Sequence, residues 1–350
     1  MTTPAEALPA AGAGAERPLS TGGSPSDHLP AGRARRRRSP AVSMVPAILE
    51  VGSRRLQYAV SDNADAHGPA GPGSPPVWAV NIHGYFTGGQ MYWRESAWLA
   101  ERFGWRVVNP SLPGFGGSDP LGWHEISIGR LSEQVVRIVD HLGAGPVLLL
   151  GHSMGGAVAV HYAHERPDMT LGLVYRDGVA TPAWRDRNGI VQTAVSTVSP
   201  NMAPFADMFV SFVMDVPDLL IGRALSTVRA LIPDVRRNMR TVGLSFPVAA
   251  MLMTVDLRAE VTALAEAGLP ILGEWGTFDH IVGPSAADEF ERCASTTVQW
   301  VPGGHSWMLA RPQGQADLLS HLDVGRRFLA EVEARHRSAT TGRRRLRRVR

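Results

Sequence analysis

Lysine is absent from this 350-residue chain: all 35 basic side chains are arginine, and cysteine occurs once, at Cys293. A lone thiol closes no internal disulfide, so packing rather than cross-linking must hold the fold, and a reducing compartment suits it. The longest apolar candidates, Phe205 to Ile221 and Phe246 to Val255, are interrupted by Asp, Pro or Thr. Neither is a continuous stretch long enough to span a bilayer. The N-terminus lacks the apolar core of a secretory signal, and the expected location is cytoplasmic. Metal-ligand spacings such as H-E-x-x-H and a glycine-rich phosphate loop after a strand are missing as well, so neither metal nor cofactor is expected.

Net charge is +3, but it is unevenly spread. Residues 1–45 carry +3 and residues 333–350 carry +7, which leaves about −7 for the stretch between them. The N-terminal 45 residues are rich in Ala, Gly, Pro and Ser and hold almost nothing that could build a core, so they are expected to be disordered. Met44, just ahead of the first strand-like pattern, is a candidate start of translation, which N-terminal sequencing of native protein would test. The arginine-rich segment 333–350 is likewise expected to be an unfolded tail. Arginine clusters attract phosphates, which allows a weak contact with an anionic membrane surface. Without interleaved aromatics, specific nucleic-acid binding is not expected.

Between the tails, hydrophobic periodicity alternates between two forms. Ile48 to Val60 reads as a hairpin turning at Gly52-Ser53. Strands are predicted at Val77 to Ile82, Arg106 to Asn109, Val147 to Leu150, Leu171 to Tyr175, Ile271 to Trp275 and Val298 to Val301. Helices are predicted at Trp93 to Phe103, Ile128 to Leu142 and Met154 to Glu165. Ile128, Leu131, Val135, Ile138 and Leu142 recur at steps of three and four, the mark of one buried helix face. Strand–helix alternation of this kind requires an α/β fold, a mostly parallel sheet covered by helices on both faces. Residues 181–266 interrupt the pattern with no clear strand and many large apolar side chains. They are read as a helical lid inserted into a core of 46–180 and 267–332.

The sharpest local signal is Gly151-His152-Ser153-Met154-Gly155-Gly156, lying directly after a buried strand and before a helix. In that context G-x-S-x-G marks a tight strand-to-helix turn that projects a serine hydroxyl above the sheet, at a helix N-terminus that favours negative charge. A serine hydroxyl needs a base, and His305 is the candidate, in Pro302-Gly303-Gly304-His305 after a strand. The other histidines have plainer settings, His161 and His164 on a helix surface among them. A carboxylate must orient that base. Asp279 is the first candidate, in the loop after the strand ending at Trp275, and Asp177, after the preceding strand, is its rival. Acyl transfer also needs amides aimed at the developing oxyanion. Met154 and Tyr85, the latter following His83-Gly84, are the candidates.

Together, His83-Gly84, Pro113-Gly114-Phe115-Gly116-Gly117-Ser118-Asp119, Gly151 to Gly156, Gly276 to Asp279 and Gly304-His305 resemble the α/β-hydrolase superfamily over residues 48–330, with the serine–acid–histidine order that fold uses. The resemblance implies an eight-stranded, mostly parallel sheet, with the lid following the sixth strand. Asp119 lies in a turn and is given no catalytic role. Serine at position 153 argues against the epoxide hydrolases and haloalkane dehalogenases of this fold, which use aspartate there. The leading expectation is a serine hydrolase of carboxylic esters. Carbon–carbon bond hydrolases and cofactor-free haloperoxidases keep the same serine and remain open, as does a hydrolase-like binding protein without turnover. Met202, Phe205, Met208, Phe209, Phe212, Val213 and Met214, with Phe246, Met251, Leu252 and Met253, suggest a small hydrophobic ester as substrate. The same residues would equally serve to pack a lid onto the core. Cys293 is read as a small buried apolar residue. The sequence leaves the oligomeric state open.

Overall fold

Residues that alternate along a strand face opposite sides of a sheet, and in this chain both sides are apolar. In the computed structural model, which describes residues 39–188 and 242–348 apart from 64, 70 and 72, and only the backbone over 186–188, 242–246 and 342–348, those strands assemble into one sheet. The hairpin comes first: β1 (Met44–Val51) and β2 (Arg54–Ser61) pair antiparallel, with Val51 opposite Arg54, so the turn is Gly52-Ser53. Gly52 takes a φ of +61°, which glycine adopts without penalty. Then follow β3 (Trp78–Ile82), β4 (Arg106–Pro110), β5 (Val147–His152), β6 (Thr170–Arg176), β7 (Ile271–Gly276) and β8 (Gln299–Val301). The eight strands lie in the order β1-β2-β4-β3-β5-β6-β7-β8. Pairing is antiparallel as far as β4 and parallel beyond it.

The α-helices among the described residues are α1 (Trp93–Phe103), α2 (Ile128–His141), α3 (Met154–Glu165), α4 (Val242–Leu252), α5 (Arg258–Glu266), α6 (Pro284–Ala294), α7 (Trp307–Ala310), α8 (Gly314–His321) and α9 (Asp323–Arg348). Strand alternation assigns them to sides. Val147 and Leu149 of β5 join one core with Leu131 and Val135 of α2, Val158 of α3, Leu264 of α5 and Phe290 of α6. Leu148 and Leu150 point the other way, into a second core with Leu99 of α1, Leu318 of α8 and Phe328 and Val332 of α9. The α2 stripe read from the sequence is the buried stripe: Ile128, Leu131, Val135 and Ile138 are all buried. No helix among the described residues is long and apolar enough to cross a membrane.

Two expectations change. The chain leaves the sheet after Arg176 and returns at Ile271, the place expected for an insertion, but the middle of the proposed lid, 189–241, lies outside the described residues. Of its flanks, α5 packs on α3 and α6 with Val261 and Leu264 buried, so it belongs with the helices covering the core, although the sequence reading put it in the lid. Amphipathic periodicity reveals a buried face without saying what buries it. The second change concerns 333–350, expected to be unfolded. Helix α9 runs through that boundary to Arg348. Gly325, Phe328, Val332 and His336 form a buried line at steps of three and four, so packing extends past the point where arginine begins to dominate. The expected N-terminal extension lies outside the described residues up to position 38. Cys293 is on α6, half-buried against the first core.

Candidate active site

From β3 the chain steps outward to β4, then returns past β3 to β5, so the order reverses between β3 and β5. The helices after these two strands, α1 and α3, lie on opposite faces, and the strands' carboxyl ends at such a reversal are where open α/β sheets form a crevice. Ser153 sits there, between the last residue of β5 and the first of α3. Its backbone has φ 53° and ψ −118°, a conformation that costs a non-glycine residue about 1–3 kcal/mol and persists only where the surroundings enforce it. They do so here. The Ser153 amide donates to the Arg176 carbonyl at 3.0 Å, and its carbonyl accepts from Gly156 at 2.9 Å and Val179 at 3.3 Å. Glycine at 155 is a steric requirement: a Cβ there would be driven into the Ile82 carbonyl oxygen, far inside contact distance.

His305 follows β8 and precedes α7. Its Nδ1 donates to Asp279 Oδ2 at 2.8 Å, and both side chains are buried. The other carboxylate oxygen of Asp279 accepts from the amides of Ile281 (2.7 Å) and Val282 (2.8 Å), which fixes the group from two sides. Backbone bonds from Thr277 to Val301 and from Phe278 to Gly303 stitch the two loops together. The rival, Asp177, is brought close as well: donor atoms of Asp177, Asp279 and His305 all lie within 4.8 Å of one another. Its carboxyl group accepts from the Gly276 amide at 2.7 Å and from Trp307 Nε1 at 3.0 Å, and is hydrogen-bonded to Asp279 rather than to His305. Burial, and then the charge of Asp279, push the Asp177 carboxyl well above the usual range. Asp279 is therefore the partner of His305, and Asp177 stands behind it. No linear spacing announces this grouping as a metal site, yet the fold assembles three potential ligands. Their lone pairs and protons are already engaged with one another and with four N–H donors, which suits a hydrogen-bonded unit better than a cation.

The loop after β3 passes over the serine. A Cβ at Gly84 would stand 3.2 Å from Ser153 Cβ and 3.0 Å from His152 Nδ1, so the chain carrying Tyr85 runs directly against the β5–α3 turn. Met154 is the first residue of α3, and amides at that end have no partner within the helix. Below them His83 is buried, donating from Nδ1 to the Gly84 carbonyl at 2.7 Å and accepting at Nε2 from the Leu112 amide at 2.8 Å. Burial lowers its pKa to about 4, and it stays neutral. The arrangement offers a hydroxyl, a base held by an acid and amides at a helix start, the parts needed to attack a carbonyl and hold the resulting oxyanion.

A polar layer beneath these residues escaped the sequence reading. Asn81 of β3, Arg176 of β6 and Glu274 of β7 fall, by strand parity, on the face covered by α1 and α8. Arg176 is ion-paired with Glu95 of α1 with both side chains essentially inaccessible, and it donates to Asn81 Oδ1 at 2.7 Å. Asn81 in turn donates to Glu95 at 2.8 Å, and Gln315 of α8 donates to Glu274 at 2.8 Å. The available signal was a charged or amide residue inside strands otherwise wholly apolar, as in Trp78–Ile82 and Ile271–Gly276; such a group is costly to bury unless partners await it.

The model of the alpha/beta hydrolase fold family matches residues 79–312. Over 256 residues the chain is 28% identical to a provisionally named non-heme haloperoxidase of Mycobacterium phage D29, covering 71% of this chain and 87% of that one. It is 35% identical over 112 residues to the lipase LipV of Mycobacterium tuberculosis, a match that spans 32% of this chain and 39% of the lipase. The crystal structure of the enol-lactonase from Burkholderia xenovorans LB400 aligns with a TM-score of 0.58 at 19% identity, covering 79% of this chain and 100% of that one. At that identity the likeness concerns fold alone. With two thirds of its length matched by the family model and its eight strands in this order, the chain belongs to the α/β-hydrolase family.

Proposed function

We propose that this hydrolase cleaves carboxylic esters through a covalent acyl-enzyme on Ser153. The carrying observation is the 2.8 Å hydrogen bond from His305 Nδ1 to Asp279, made at the rim where Ser153 is held in its strained turn. With Nδ1 so engaged, Nε2 is the basic nitrogen of the ring. Ser153 Oγ attacks the ester carbonyl while His305 takes its proton, and the charge that develops on oxygen is met by the amides of Met154 and Tyr85. The tetrahedral intermediate expels the alcohol, which takes the proton back from His305. Water then repeats the sequence and releases the acid. Asp279 stabilises the imidazolium in both halves without accepting its proton.

A fluorophosphonate probe tests this directly: it should label the native protein and fail on Ser153→Ala. Native protein that binds esters but shows neither labelling nor turnover would refute the reading in favour of a binding protein. A hydrophobic acyl or alcohol group is the substrate class proposed, and rates on p-nitrophenyl esters should then rise from acetyl to octanoyl. Most of the apolar residues behind that idea, 202–214, lie outside the described residues, whereas Leu252, Met251 and Met253 pack on the core. The haloperoxidase name carried by the phage relative supports a second reading, perhydrolysis and halogenation at the same serine. Assaying the purified protein with halide and peroxide beside the ester series separates the two.

A further inference from the structure

The histidine that precedes Ser153 has a use that the ester mechanism leaves unassigned. His152 is buried, and both of its ring nitrogens are engaged: Nδ1 lies 2.6 Å from Tyr92 Oη, and Nε2 lies 2.9 Å from the backbone carbonyl oxygen of His305. Tyr92, fully buried at the start of α1, also takes a hydrogen bond from the Gly84 amide at 3.3 Å. Valence fixes the direction of this chain. An amide N–H can only donate, so Tyr92 Oη accepts from Gly84. A carbonyl can only accept, so His152 Nε2 carries a proton and gives it to His305. Thr87 also hydrogen-bonds the Tyr92 hydroxyl, so the carbonyl is what fixes the tautomer: with its one proton on Nε2, neutral His152 presents a lone pair at Nδ1, to which Tyr92 donates.

The three segments joined in this way are those the proposed mechanism needs. Gly84 precedes the amide of Tyr85, His152 precedes the nucleophile, and the carbonyl belongs to the base itself. We propose that Tyr92 and His152 are positioning residues, which lock the oxyanion loop, the serine turn and the His305 loop into one register and so hold the His305 ring against Ser153. The inference rests on the ester-hydrolase reading and adds to it. Charge supports the same role. The His152 and His305 rings are 4.7 Å apart, centroid to centroid, and His305 must become an imidazolium during turnover. A second cation at that distance would oppose it. Burial, then the proximity of His305 and Arg176, hold the His152 pKa well below the usual histidine range, and burial raises that of the Tyr92 hydroxyl.

The test uses the full chain and p-nitrophenyl acetate. Displacing a reacting group by ~1 Å costs on the order of 100-fold in rate, so Tyr92→Phe and His152→Leu should each lower kcat by roughly 10- to 100-fold with KM little changed. His152→Gln, whose amide offers one acceptor and one donor in nearly the same places, should recover most of the lost kcat. Because the two residues act in series, the Tyr92→Phe/His152→Leu double variant should lose no more than the worse single variant. Urea titration of each variant separates lost fold from lost placement, and should His152→Leu fail to fold, Tyr92→Phe and His152→Gln carry the comparison. Native kcat in Tyr92→Phe, fully additive losses, a rise in KM in place of the fall in kcat, or a His152→Gln no better than His152→Leu would each overturn the proposal. If the native protein itself turns over no ester, the hydrolase reading falls and takes this one with it; if native turnover is present, only the positioning role is at stake.

Discussion

Glu274 offers the most quantitative test of this fold, because its environment makes stability depend on pH in a way that one substitution should abolish. The side chain is buried on β7, hydrogen-bonded by Gln315, and desolvation raises its pKa from 4.5 to about 8. Between those values the folded protein keeps a proton that the unfolded chain has released. Stability is therefore greatest below the unfolded value and falls as pH rises, by ~1.4 kcal/mol per unit, until the folded group ionises. The interval is about 3.5 units, which makes the total about 5 kcal/mol, an upper bound because local relaxation eases the ionised state. Glu274→Gln keeps the acceptor for Gln315 and has no proton to lose. Urea unfolding followed by tryptophan fluorescence at pH 5, 6, 7, 8 and 9 gives the stability of each protein, and the difference between them cancels every other titrating group. The variant should match the native protein near pH 5 and exceed it progressively up to pH 8, with the gap constant beyond. Parallel curves, or a variant that is weaker by the same amount throughout, would refute the assignment of a protonated carboxyl inside the sheet.

Further tests follow from individual contacts. Asp279→Asn should lower kcat on an activated ester by ~10⁴-fold with the fold intact, since an amide there favours the wrong tautomer of His305, whereas Asp177→Asn should lose far less; equal losses would reverse the roles of the two acids. Glu95→Gln leaves the Arg176 guanidinium buried without its counter-charge and should cost about 3–5 kcal/mol in urea unfolding, with a loss below ~1 kcal/mol telling against the buried pair. Gly155→Ala forces β3 and α3 apart through the Ile82 carbonyl and should destabilise by at least ~1–3 kcal/mol while abolishing probe labelling; a stable, labelled variant would show that the turn has room.

Much of the architecture could be read locally because local periodicity is enough to declare an element. Trp93–Phe103 and Met154–Glu165 form the helices expected at those bounds, and Val147 to Leu150, uniformly apolar, is wholly buried in a strand that runs on to His152. The G-x-S-x-G pattern is likewise legible locally, although Gly155 and Gly156 are required by atoms of β3 and of the β6 end, distant in the chain. The reach of α9 past residue 333 and the place of α5 against α3 were not readable this way, for each depends on a surface supplied by distant parts of the chain.

The same division runs through the site. Chain order and loop position made Ser153, His305, Asp279 and Asp177 candidates, but two acids after adjacent strands look alike in one dimension. Only the tertiary structure distinguishes their contacts: Asp279 bonds His305, while Asp177 accepts from Gly276 and Trp307 and is hydrogen-bonded to Asp279. Tyr92, Glu95, Arg176 and Glu274 were invisible as a group because hydrogen bonding and burial are set by neighbours in space. Sequence by itself determined the elements, their order and the chemical groups available. Folding determined which polar groups meet away from water, where a neighbour's proton or charge decides what each can do.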